Sequence, residues 1–105
     1  MVRYVVLAEF TEIGASQIQD TTRRAQMIAE VAKSLNVAVE TLYWTLGEHD
    51  AVLIVSSADE GNVIAFSTYL AKQGYVRTRL MRAFTESEFA DILKRMPGST
   101  VELDI

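Results

Sequence analysis

The segment Val2–Phe10, Val-Arg-Tyr-Val-Val-Leu-Ala-Glu-Phe, constrains this chain more than any other: it is apolar on both alternations, broken only at Arg3 and Glu9. A strand of β-branched and aromatic residues reads this way when both of its faces are covered. Thr11–Ser16 follows as a Gly-containing loop, and from about Asp20 the period changes. Ala25, Ile28, Ala29, Ala32 and Leu35 fall on one stripe of an amphipathic helix, with Asp20 placed to cap its start and Asn36 to end it. Strand character returns over Val37–Leu46, with Leu42, Trp44 and Leu46 on one face and Val39, Thr41, Tyr43 and Thr45 on the other. Gly47-Glu48-His49-Asp50 reads as a turn and Ala51–Val55 as the second arm of a hairpin. Asp59 caps a second helix carrying Val63, Phe66 and Leu70, Gly74 closes it, and Val76–Ala83 is a fourth strand.

The next signal is local and sharp. Thr85-Glu86-Ser87-Glu88 has the T-x-x-E spacing of a capping box, and Phe84 and Phe89 have that of a hydrophobic staple. The helix so started carries Ile92, Leu93 and Met96 and should stop at Pro97-Gly98. Val101, Leu103 and Ile105 then alternate with acids, as a short strand would.

The order is β-α-β-β-α-β with an extra C-terminal helix. That is the α+β, ferredoxin-like split arrangement: an antiparallel four-stranded sheet with both long helices on one face. Because the strands stay apolar on both alternations, the other face also needs cover. A second copy of the chain is the simplest cover, so the expected state is a homodimer.

With 105 residues there is room for one domain, read as 1–96 with a tail at 97–105. Fourteen acidic against ten basic residues give a net charge of −4, which argues against nucleic acid as a partner. Zero cysteines exclude disulfides and thiolate metal sites within the chain. No apolar run approaches the roughly 18 residues of a membrane-spanning helix, so no membrane partner is expected and the cytoplasm is the expected location.

Three stretches together resemble the GYD-domain family, small bacterial and archaeal proteins of the dimeric α/β-barrel group. They are Tyr4–Leu7 with Thr11, Glu12 and Gly14; Leu46–Asp50; and Gly74–Thr78 with Leu80, Arg82–Thr85, Glu88 and Phe89. The likeness runs over roughly residues 2–95. Gly47 and Asp50 match the family's naming signature, while His49 stands where that signature has tyrosine, so the tyrosine's role does not carry over. What the resemblance implies is the fold and a dimer; it implies little chemistry.

The residues that bear on chemistry are few. His49, the only histidine, lies between Glu48 and Asp50. It reads as a general base oriented by a carboxylate, as a metal or haem ligand, or as a polar turn residue with Asp50 capping the turn. One histidine without cysteine falls short of the three or four ligands of a mononuclear site, so no metal site is expected. Arg77 and Arg79 share a strand face, as partners of Glu9 or Glu40 or as a pocket for a small anion. Tyr4, Tyr43, Trp44 and Tyr75 read as packing or as the lining of a pocket. Tyr4, Tyr43, Trp44, Gly47, Asp50, Arg77 and Arg79 are thus the candidate ligand-binding residues, and the sequence names no cofactor. The leading functional expectation is a small dimeric domain binding a small organic or anionic ligand. A cofactor-free monooxygenase-like or haem-handling enzyme stands second by analogy of fold, with a structural subunit whose tail pairs with a neighbour third.

Overall fold

The computed structural model describes residues 1–98. The elements are β1 (Val2–Phe10), α1 (Glu12–Ser16), α2 (Thr21–Ser34), β2 (Ala38–Trp44), β3 (Ala51–Ser57), α3 (Glu60–Gln73), β4 (Val76–Ala83) and α4 (Glu86–Leu93), with a 3₁₀ turn at Ile18–Asp20. The sheet order is β2-β3-β1-β4, every pair antiparallel. This is the expected α+β, ferredoxin-like sheet with an additional C-terminal helix. The alternating strand suggested for the tail falls on residues 99–105, outside the described ones.

The even residues of β1 and the odd residues of β3 face α2 and α3. Val6, Leu53, Val55, Val63, Phe66, Leu70 and Ala32 form the buried cluster between them. β1 lies between β3 and β4, so both of its edges are hydrogen-bonded, and its even-numbered residues turn to the helices. Its other face, with Val5 and Leu7, meets Ile54 and Val52 of β3 and Met81 of β4 in register, and no element among the described residues covers it. Among the described residues no helix is long and apolar enough to cross a membrane.

Three local expectations are corrected. Thr11–Ser16 is not a loop: Thr11 accepts a hydrogen bond from the Gly14 amide and caps the short helix α1. The faces of β2 do not alternate as read, because a bulge between Val39 and Thr41 shifts the register and turns Val39 to the helix side with Leu42 and Trp44. Regular α4 stops at Leu93, and single turns carry the chain on to Met96. At the end of α2, Asn36 takes the left-handed conformation (φ 57°). There the Val37 amide reaches the Ala32 carbonyl at 2.8 Å and the Asn36 amide reaches Lys33 at 3.0 Å. These paired bonds are the Schellman closure, and Val37 and Ala32 are both buried beneath it.

Candidate functional site

The helix-side layer is packed at one end and hollow at the other. At the closed end the side chains of Val6, Val55, Val63 and Phe66 fill the space between α3 and the sheet. Towards α2 the floor is made by Ala8 and Ala51, directly opposite each other in register, and the roof by Ala25, Ile28 and Ala29. Alanines on both floor and roof cannot span the distance between a helix and a sheet, roughly 10 Å. The result is a cavity of about 590 Å³, within the range of pockets that enclose small organic molecules. Leu42, Leu53, Leu70 and Val76 complete its apolar wall.

Its mouth is aromatic and polar. Trp44, at the end of β2, donates its indole N–H to Thr21 Oγ1 at 3.1 Å and so ties the start of α2 to the sheet. The Arg24 guanidinium carbon lies 4.0 Å from the centre of the Tyr75 ring, a cation–π stack. Arg24 Nη2 also faces the Gln17 carbonyl and side-chain oxygens at 3.3 and 3.5 Å. The neighbouring Arg23 is paired with Asp20 at 3.3 Å. Tyr69, Gln73 and Thr78 line the inner side, Thr78 sharing a hydrogen bond with Ser67 at 3.3 Å.

Of the residues singled out from sequence as ligand-binding, only Trp44 lines this cavity. Tyr4 faces the helix side further along β1 and donates its hydroxyl to Glu60 at 2.8 Å. That bond stabilises the protonated phenol and raises its pKa above the ordinary value. Tyr43, Arg77 and Arg79 lie on the uncovered face. There Tyr43 pairs with Val52, Arg79 with Leu7 and Arg77 with Glu9. The expected arginine–acid pairs are not formed among the described residues. Glu40 is bound by Arg3 at 2.9 Å, while Glu9 approaches His49 Nδ1 at 3.4 Å. The Arg3 contact lowers the pKa of Glu40.

His49, in the turn between β2 and β3, thus faces Glu9 of β1, not the flanking Glu48 or Asp50. Its Nδ1 is buried and, at that distance, lacks a hydrogen bond of proper geometry. The Asp50 side chain does not cap its own turn: its Oδ2 accepts the Phe10 amide at 2.8 Å, just where β3 pairing with β1 runs out. Gly47 takes φ 119° in that turn, a backbone region that favours glycine. No cluster of three or more His, Cys, Asp or Glu residues among the described residues is placed to hold a metal ion.

Sequence reasoning missed Arg24, and took Tyr75 for packing first. The available signal was the pair of alanines on the α2 stripe: a helix that should seal a sheet but presents Ala25 and Ala29 leaves space beneath itself.

A ferredoxin-like α+β domain with a pocket between one helix and its sheet is the class defined by these features. More narrowly, the chain belongs to the GYD domain family, which matches residues 4–93. No curated protein matches it. Among solved structures it resembles the Mycobacterium tuberculosis leucine response regulatory protein LrpA. The TM-score there is 0.60 at 23% identity, and the match covers 80% of this chain but 51% of that one, so this chain spans about half of LrpA. It also resembles TTHA0845 from Thermus thermophilus, with TM-score 0.52 and 24% identity over 81% of this chain and 95% of the other. At these identities the likenesses show the fold alone.

Parts of the three stretches that carry the family resemblance, Thr11 with Gly14, Asp50, and Gly74 with Tyr75, meet at one end of the sheet. The Thr11 amide donates to Tyr75 O at 3.1 Å, and the Thr11 hydroxyl to Gly74 O at 2.6 Å. Gly14 packs on the Tyr75 backbone, and Asp50 holds Phe10. Together these contacts fix Tyr75, and through its ring Arg24, at the mouth of the cavity.

Proposed function

We propose that the protein is a cytoplasmic homodimer that binds a small, largely apolar organic molecule in the cavity between α2 and the sheet. The observation that carries the reading is the cavity of about 590 Å³, walled by alanines and branched aliphatics where a sealed core would otherwise lie. Apolar groups along such a pocket lack close-packed neighbours, and a ligand of matching shape supplies those dispersion contacts. The homodimer follows from the uncovered face of the sheet. Val5, Leu7, Val52 and Ile54 form a contiguous centre there, with Met81 at 47% and Tyr43 at 65% exposure beside it. His49 lies outside the cavity lining, so binding in the cavity does not involve the residue on which an acid–base reading rests.

Ala25→Phe tests the reading by filling the cavity from the roof. Wild-type protein should bind a naphthalene-sized neutral probe such as 2-naphthamide in a saturable manner by titration calorimetry, and the filled variant, with an unchanged circular dichroism spectrum, should not. Equal affinity in the two proteins, or no binding to wild type, would overturn it.

A further inference from the structure

We infer that the ligand of this cavity is an aromatic carboxylate, oriented with its ring among the apolar residues and its anionic group on Arg24. The inference rests on the cavity being the binding site and adds the chemical class of what it takes.

Charge balance is the first ground. Arg3 is paired with Glu40 and Arg23 with Asp20, whereas Arg24, at the cavity wall, has no carboxylate within ion-pair distance among the described residues. Its contacts are the neutral oxygens of Gln17, at 3.3 and 3.5 Å, and the Tyr75 ring. Those distances lie at or beyond the long end of a good N–H···O bond, leaving guanidinium donors for a better acceptor. A carboxylate is the acceptor whose geometry matches a guanidinium fork.

The stack on Tyr75 is the second ground. The ring holds the guanidinium in place while the Thr11 and Gly14 contacts hold the Tyr75 backbone, so the cation is positioned before any ligand arrives. Besides Asp20, which Arg23 engages, the acid along the cavity is Glu30, six positions beyond Arg24 on α2 and roughly 9 Å down the helix axis. A ligand with one negative end is therefore set with that end towards Arg24 and its apolar end inward. The third ground is the lining itself. Phe10, Trp44 and Tyr69 join Tyr75 among the aliphatic and polar groups that line the space, and four aromatic rings suit a flat ring more than a flexible chain.

The test compares 2-naphthoate with 2-naphthamide, which share a shape and differ by the charge, on wild type, Arg24→Gln and Ala25→Phe. Wild type should bind the naphthoate at least tenfold more tightly than the amide. Arg24→Gln should weaken naphthoate binding by about tenfold or more while leaving the amide within twofold, the loss expected for one charge-assisted contact. Octanoate, an aliphatic carboxylate, should bind more weakly than naphthoate. If Arg24→Gln leaves the naphthoate unaffected, or weakens both probes alike, the anchoring role of Arg24 is overturned while the cavity remains the site. Octanoate binding as tightly as naphthoate would overturn the aromatic class alone. If neither naphthalene probe distinguishes wild type from Ala25→Phe, the cavity reading itself fails, and the inference with it.

Discussion

At Gly14 a single hydrogen atom decides whether α1 can dock. A Cβ built there would lie 2.0 Å from the Tyr75 carbonyl oxygen, a backbone atom held in place by the Thr11 amide. Neither side can yield without breaking the Thr11–Tyr75 and Thr11–Gly74 bonds. Gly14→Ala should therefore cost about 2 kcal/mol or more, as over-packing of a tight site does, even though alanine favours a helix. A urea denaturation midpoint measures it; an unchanged midpoint would mean that the β1–α1 corner is not rigid. Because Tyr75 carries the Arg24 stack, the same substitution should also weaken naphthoate binding. Asp50 acts in a comparable way at the other side of β1, where its carboxylate supplies the acceptor that the sheet ladder no longer provides to Phe10.

At the scale of an element, α4 stands apart from the rest. Its start is fully built: the Thr85 hydroxyl accepts the Glu88 amide at 3.1 Å and the Glu88 carboxylate accepts the Thr85 amide at 2.7 Å. The Phe84 and Phe89 rings lie 6.2 Å apart, and Arg82 stacks 4.5 Å from the Phe84 centroid. Yet none of its residues is buried. Its stability is consequently local, and Thr85→Ala should raise amide exchange within α4 by about fivefold, the equivalent of a lost cap worth roughly 1 kcal/mol, with little movement of the global midpoint. The capping box should also be pH-dependent. Bonds from the Thr85 amide and hydroxyl hold the Glu88 carboxyl below its ordinary pKa. The stabilisation is thus complete above the ordinary carboxylate range, roughly pH 4, and is lost as pH falls through the lowered value of the folded helix. The Thr85 amide resonance, followed through an acid titration, should shift with that midpoint and lose the transition in Glu88→Gln.

Among the described residues, helices cover one face of the sheet and leave the other uncovered. An apolar centre of Val5, Leu7, Val52 and Ile54 flanked by Arg77, Arg79, Glu9 and His49 has the layout of an interface, apolar inside and charged at the rim. Sedimentation equilibrium at micromolar concentration should give twice the 11.7 kDa chain mass. Val52→Lys, which sets a charge in the centre of that face and leaves the helix-side core untouched, should give the monomer. A wild-type monomer at that concentration would overturn the proposed dimer. The candidate residues read from sequence divide along this geometry. Tyr43, Arg77, Arg79 and His49 gather at the uncovered face, whereas Trp44 alone of the ligand-binding candidates reaches the cavity.

The features legible in the sequence are those that a residue settles with its near neighbours. The change of period along the chain marked every long strand and helix, Thr85 and Glu88 announced the start of α4, and Asn36 announced the end of α2, because periodicity and capping act within a turn or two of backbone. The double apolar alternation of Val2–Phe10 likewise marked β1 as a strand, one face of which the helices cover, while cover for the other is the proposed second copy. The bulge in β2 depends on how that strand meets β3, and so it escaped a reading of β2 alone. The binding site lies further still from local pattern. Ala8, Ala25 and Ala51 are ordinary one at a time, and only the fold sets two of them side by side in the sheet beneath the third. Arg24 and Tyr75 are far apart along the chain, and their contact follows from Thr11 and Gly14 docking on the backbone at Gly74 and Tyr75. Elements form from interactions along the chain, whereas a cavity is the volume left between side chains from distant segments, and only the packed tertiary structure decides that volume.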